Sequence, residues 1–245
     1  MAASTDSKGD ESKRGVSISV FFPCYNEQGN VTRVVGNALK VLDGLGADYE
    51  IIVVNDGSAD ETGRIADELA AQHERVRVIH HPQNRGYGAA LQSGFRAAAK
   101  DLVFYTDGDG QFDLAEMPPL LERIRDCEIV SCYRLHRQDP LVRRINGWCW
   151  TRLVCLLFRL KLRDIDCAFK LYRREIFDGM PLCSTGALID TEVLARAARK
   201  GCRIVQQGVH HYPRTAGAQT GANLRVILRA FRELLQLRRQ IVQGG

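Results

Sequence analysis

"IIVVNDGSADET", residues 51–62, sets two isoleucines and two valines in a row and then turns abruptly polar. A short branched-aliphatic run with no alternation reads as a strand buried on both faces, which belongs in a parallel sheet covered by helices. The residues that follow, in "DETGRIADELAAQ" (60–72), carry a helical period. The same strand–loop–helix unit recurs on both sides. "VSISVFF" (16–22) precedes "NVTRVVGNALKVL" (30–42), "VRVIHH" (76–81) precedes "GYGAALQSGFRAAAK" (86–100), and "DLVFYT" (101–106) precedes "LAEMPPLLERIR" (114–125). "EIVSCYR" (128–134) reads as a fifth strand. This alternation predicts an α/β fold with a mostly parallel central sheet and helices on both faces.

Around this frame the chain is less regular. The first 15 residues are polar and charged without an apolar period, the composition of a disordered tail. "DPLVRRINGWCWTRLVCLLFRLKL" (139–162) mixes apolar, basic and aromatic residues, "DTEVLARAARKG" (190–201) is a helix closed by glycine, and "CRIVQQGVHHYPR" (202–214) holds one more strand. The expected organisation is a tail (1–15), one domain (16–221, with halves 16–135 and 136–221) and a basic amphipathic helix (222–245).

The 245 residues carry a formal net charge of +5. That suits anionic partners, but the basic residues form no dense run with interleaved aromatics, so a nucleic-acid binder is excluded. Eight scattered cysteines lack a CxxC pair or a zinc spacing. With no signal peptide they read as reduced thiols of a cytoplasmic protein. No apolar run reaches the roughly 18 residues of a membrane span.

In open parallel sheets, ligands bind beyond the carboxyl ends of the strands. Here those ends read "PCYNE" (23–27), "NDGSADET" (55–62), "NRGYG" (84–88) and "DGDGQ" (107–111). Asp107 and Asp109, two residues apart, repel unless a cation lies between them, and Mg²⁺ or Mn²⁺ shared with a phosphate is the natural one. An EF-hand is excluded because its twelfth position, counted from Asp107, is Pro118. "GYGAAL" matches two glycines of a dinucleotide fingerprint, but Leu91 takes the place of the third, and it follows the third strand. Gly86 and Gly88 then serve either a helix N-terminus near a diphosphate or close packing.

"FPCYNEQGNV", "IIVVNDGSADET", "NRGYGAALQSGF" and "FYTDGDGQ", in this order, resemble the inverting family 2 glycosyltransferases of GT-A fold, nearest to the dolichol-phosphate mannosyltransferase and polyprenyl-phosphate branch. The resemblance covers about residues 18–223. It implies a metal-dependent transfer of sugar from a GDP- or UDP-sugar to a polyprenyl phosphate. By position it implies that Pro23, Tyr25 and Glu27 line the base and ribose pocket, with Asp56 on the base. Asp107 and Asp109 form the DxD motif holding Mg²⁺ or Mn²⁺, joined by Gln111. Arg134 lies near the phosphates, Asp166 and Lys170 near the donor sugar, and Arg214 folds onto the diphosphate. Two departures stand out: Asn55 replaces the usual Asp, and Gln219-Thr220 replace the usual Ser-Lys of the loop that carries Arg214.

Asp190 and Glu192, in "IDTE", occupy the place where sugar-acceptor members carry a catalytic carboxylate. They equally suit the first turn of a helix, where acids favour the dipole, and both readings stay open. His210 and His211 can contact substrate or be structural. From Leu224 the spacing of leucines and arginines fits a helix lying on an anionic membrane or docking on the domain. The rival functions are transfer to a sugar or protein hydroxyl and a silent nucleotide-sugar binding module; the intact Asp56, Asp107 and Asp109 argue against the second.

Overall fold

The computed structural model describes the backbone of residues 15–135, 141–214 and 224–243, with the side chains of 141–143, 224–230 and 242–243 left aside. The expected tail, the loop carrying Gln219 and Thr220, and the apolar stripe from Leu224 to Leu228 therefore lie outside the described residues or side chains.

Among the described residues seven strands form one sheet: β1 (Ser17–Cys24), β2 (Asp48–Asn55), β3 (Val76–His80), β4 (Leu102–Thr106), β5 (Ile129–Leu135), β6 (Phe169–Arg173) and β7 (Ile204–His210). Their order is β3-β2-β1-β4-β6-β5-β7. All neighbouring pairs are parallel except those of β6, which runs antiparallel to both β4 and β5. Helices α1 (Val31–Gly44), α2 (Thr62–Gln72), α3 (Tyr87–Ala97), α4 (Pro118–Arg123), α5 (Leu141–Phe158), α6 (Ile189–Arg199) and α7 (Leu224–Gln243) surround it. The α/β reading from alternation thus holds.

The early strands are buried on both faces, as their apolar runs require: residues 18–24 of β1, broken only by Ser19, and 51–55 of β2 are all buried. Gly94 of α3 lets Phe21 come against the helix backbone, and Phe21, Phe95, Tyr105, Tyr172 and Phe177 form a ring cluster across β1, α3, β4 and β6. Aromatic pairs of this kind add about 0.5–1.5 kcal/mol each beyond their buried area.

Two stretches depart from expectation. "LAEMPPLLERIR" is not one helix: 3-10 turns at Leu114–Glu116 and Ile124–Asp126 flank the short α4, because Pro118 and Pro119 remove backbone donors. "FKLYR", in which Lys170 was expected near the donor sugar, is instead the interior strand β6. Lys170 hid it, since a lysine in a strand buried on both faces breaks the apolar run.

Helix α7 docks on the domain along part of its length. Leu234, Leu237 and Ile241 are buried, Phe231 packs edge-on to Trp150 of α5 at 5.7 Å, and Arg199 of α6 donates to the Ile241 carbonyl. Phe231 and Leu235 remain exposed. Among the described residues no helix is long and apolar enough to cross a membrane.

Candidate active site

The carboxyl ends of β1, β2 and β4 meet in one cleft. Gly108 N–H donates to the Pro23 carbonyl at 3.3 Å, and Asp56 N–H to the Cys24 carbonyl at 2.9 Å, so the three polar ends are stitched together by backbone. Gly110 takes φ +71° and lies against the Arg33 guanidinium; a side chain there would meet both backbone strain and that arginine. Arg33, which sequence reasoning missed, reaches from α1 to this loop and also donates to Asn30 at 3.3 Å.

Asp107 and Asp109 are sparsely bonded. Asp107 accepts from the Tyr87 hydroxyl at 3.0 Å, and Asp109 from the Gln111 N–H at 3.0 Å. Desolvation first, then the Asp109 charge, pushes the Asp107 carboxyl up to about 7. Desolvation also raises Asp109, opposed by its bond to Gln111 and by the charge of Arg214. The phenol of Tyr87 stays a firm donor, its proton held by desolvation and by the charge of Asp107. This is an arrangement that a bound cation would relieve.

The segment after β7 folds onto this loop. Tyr212 N–H donates to the Gln111 carbonyl at 2.8 Å, and the Gln111 side-chain amide donates to the Tyr212 carbonyl at 2.9 Å. Arg214 lies near enough to Asp109 for its charge to act on it, with its guanidinium paired to Glu27. Glu27 also accepts from Asn30 at 2.7 Å. His210 binds Glu116, and His211 packs on Phe112, so both histidines serve the attachment of this segment. Tyr25 is exposed at the cleft edge, next to buried Pro23.

Several expected residues turn inward. Asp56 is buried and takes His81 Nδ1 at 2.6 Å, Arg85 N–H at 2.9 Å and Gly86 N–H at 2.9 Å. Its carboxylate holds the loop after β3. The diphosphate reading of Gly86 is corrected: a Cβ on Gly86 would come within 2.6 Å of the Thr185 carbonyl, and one on Gly88 within 2.6 Å of the Gly186 carbonyl. Ala89 N–H also donates to the Thr185 carbonyl at 3.3 Å. The 184–186 loop therefore packs closely against the N-terminus of α3.

The base reading of Glu192 is corrected too. It is 0 % exposed, and its oxygens accept from Cys183 N–H, Ser184 N–H (2.7 Å) and Arg196 Nε (2.9 Å). Asp190 lies nearer the cleft floor but accepts from Lys170 at 2.8 Å and from the Tyr105 hydroxyl. Lys170, 0 % exposed, also donates to the Cys167 carbonyl at 2.6 Å and to Tyr105 at 3.2 Å, which satisfies all three ammonium hydrogens. Burial works against its charge, but Asp190 outweighs it and raises its pKa. Lys170 is thus a structural cation and not a contact to a donor sugar.

Arg134 grips Asp164 with two bonds, 2.7 and 2.9 Å, and lines a cavity of about 470 Å³ with Tyr133, Arg144, Trp148 and Arg163. Burial opposes the Arg134 charge, but Asp164 prevails and raises its pKa. Asp166 is an exposed residue beside Asp164; desolvation first, then the charges of Asp164 and Asp190, pushes its carboxyl up to about 6. The "RDID" spacing, with an acid two residues before Asp166, was the available sign of Asp164.

Residues 19–180, well over half of the chain, match the family described as glycosyl transferase family 2. The chain belongs to that family. Among family relatives, glycosyltransferase AglD of Haloferax volcanii is 36% identical over 210 residues, which is 82% of this chain and 34% of that protein. The chain thus spans about a third of that relative's length. Solved structures of glucosyl-3-phosphoglycerate synthase from Mycobacterium tuberculosis share the fold. The complex with Mn²⁺, UDP and glucosyl-3-phosphoglycerate gives a TM-score of 0.70 at 21% identity, covering 93% of this chain and 80% of that one. The complex with Mg²⁺ and UDP gives 0.67 at 21% identity, covering 93% and 79%. The family 2 sheet, with its antiparallel sixth strand, is that GT-A arrangement.

Proposed function

We propose that the protein transfers a sugar from a nucleotide-sugar to a polyprenyl phosphate, with inversion at the anomeric carbon. The observation that carries this reading is the state of the second carboxylate pair. A hydroxyl acceptor needs a base, and both candidates are engaged: Glu192 by two backbone donors and Arg196, Asp190 by Lys170 and Tyr105. A phosphate monoester needs none, because its second pKa is near 6 and it arrives mostly ionised.

The donor side follows from the cleft. Asp107 and Asp109 fit a divalent cation: they are close carboxylates, poor in donors, at a strand end. Among the described residues there is no cluster of three metal-ligating groups, which suits Mg²⁺ or Mn²⁺ completed by diphosphate oxygens. When bound, the cation would offset the charge growing on the leaving diphosphate. Arg214, released from Glu27, would add a forked donor to the same oxygens. Exposed Tyr25 offers a face for the base, with Pro23 and Glu27 beside it. Asp56 acts there by holding the loop after β3. Gln111 orients the Arg214 segment through its bond to Tyr212.

The acceptor side is the cavity carrying Arg134, Arg144 and Arg163, cationic and walled by Trp148 and Tyr133. Its rim supports a lipid surface. Ile145, Trp148 (58 % exposed) and Leu156 (78 % exposed) on α5, with Phe231 and Leu235 on α7, stand out among exposed arginines. This is the pattern of peripheral contact with an anionic membrane.

Calorimetry of GDP- and UDP-sugars with Mn²⁺, followed by transfer to short-chain polyprenyl phosphate, tests the reading. The expected result is metal-dependent donor binding and a glycosylated lipid phosphate. Transfer to a sugar alcohol with no reaction on the lipid phosphate would replace it with the hydroxyl-acceptor reading.

A further inference from the structure

The "GYG" of residues 86–88 has lost its phosphate role, and its middle residue has gained none. Tyr87 is the first residue of α3, and its hydroxyl donates to Asp107 Oδ1 at 3.0 Å, among the described residues the one side-chain hydrogen bond to that carboxylate. The flanking glycines fix where this hydroxyl can be. Gly86 carries φ +98° and abuts the Thr185 carbonyl; Gly88 is wedged against the carbonyls of Ser184 and Gly186. Gly86 N–H is tied to Asp56, and Gln92, one turn further along α3, donates to Ser184 at 2.9 Å. The loop they touch is itself held by Glu192 through Cys183 N–H and Ser184 N–H. The start of α3 is thus clamped from two sides, and a single hydroxyl projects from it onto the DxD loop.

We propose that Tyr87 is the positioning residue of the cation site: by occupying Oδ1 of Asp107 it fixes the carboxylate so that Oδ2 is presented to the metal. This rests on the reading of Asp107 and Asp109 as the metal carboxylates. Partners one shell out from a metal ligand commonly govern affinity by about 10–100-fold, and nothing in an unclamped aspartate would choose one rotamer here. It also gives the carboxylates of Asp56 and Glu192 a role: each pins one side of the mount on which Tyr87 stands.

The test is a Mn²⁺ titration followed by electron paramagnetic resonance, with saturating UDP, on wild-type protein, Tyr87→Phe and Asp107→Asn, alongside melting temperatures. Phenylalanine keeps the ring and removes only the hydroxyl. The expected result is Mn²⁺ binding to wild type, weakened about 10–100-fold in Tyr87→Phe, with the melting temperature within about 6 °C, as one lost hydrogen bond allows. Equal Mn²⁺ affinity in Tyr87→Phe and wild type would overturn the role of Tyr87 while leaving the metal reading intact. A larger fall in melting temperature would also overturn it, making the tyrosine a packing residue. Failure of wild type to bind Mn²⁺, or unweakened binding by Asp107→Asn, would overturn the metal assignment and the role of Tyr87 with it.

Discussion

Two pairs of acids with the same spacing, Asp107/Asp109 and Asp190/Glu192, have opposite fates. The first pair ends a strand between glycines and has few partners: one hydroxyl and one backbone N–H. The second pair starts a helix and is saturated by a lysine, a tyrosine, an arginine and two backbone donors. The difference is the supply of compensation. A buried acid with matched donors is committed to holding the fold, while one left short of donors is ready to take a cation. Residue type and spacing are alike, so chemistry is assigned here by what surrounds each carboxylate.

The contrast is sharpest at the first pair. Asp109→Asn should cut transfer by at least about 10²-fold, the scale for losing charge stabilisation at a leaving group, while leaving the melting temperature almost unchanged. Chelation with EDTA should match it in a turnover assay. Wild-type turnover in that variant would end the metal assignment.

At the second pair the same kind of change should strike stability first. Lys170→Met leaves Asp190 buried without its cation, and breaking a buried pair costs about 3–5 kcal/mol; thermal melts should fall by roughly 6–20 °C. Glu192→Gln should cost less, about 1.5–3 kcal/mol by chemical denaturation, the worth of its charged hydrogen bonds. If either variant melts like wild type, the second pair is not the structural one.

A smaller effect is expected at the acceptor cavity. Arg144→Ala should raise KM for polyprenyl phosphate about tenfold with little change in kcat, as one charged contact warrants. Binding to anionic liposomes should weaken as salt rises. An unaltered KM would detach the cavity from the acceptor.

The metal-free protein adds a pH dependence. Asp107 titrates near 7 in the fold against 3.8 when free, so the folded chain binds more protons between those values. Stability of the metal-free protein should therefore fall as pH rises from about 4 to 7, a slope that Asp107→Asn should flatten. A melting temperature that rises across this window would contradict the burial of Asp107.

The parallel half of the fold was legible because strands buried on both faces need long apolar runs, and β2 and β4 have them unbroken, β1 with only Ser19 between. DxD was legible because two acids at a strand end invite a cation. The antiparallel β6 was not, since Lys170 in its centre looks like a surface residue until Asp190, Tyr105 and the Cys167 carbonyl are known to surround it. The inward turn of Asp56 and Glu192 was also hidden: besides the His81 and Arg196 side chains, their partners are backbone N–H groups of other loops, which leave no mark in residue type. Helix α7 divides the same way, with Leu234 and Leu237 buried and Leu235 exposed on one apolar stripe.

The claim that the second pair holds while the first works is tested most directly by single-turnover transfer in the double variant Lys170→Met, Asp190→Asn, which removes both buried charges together. With polyprenyl phosphate and saturating donor, the rate should stay within about tenfold of wild type. A loss of the 10²–10⁴-fold typical of removing a general base, in a variant whose melting temperature is preserved, would make Asp190 the base and contradict the account.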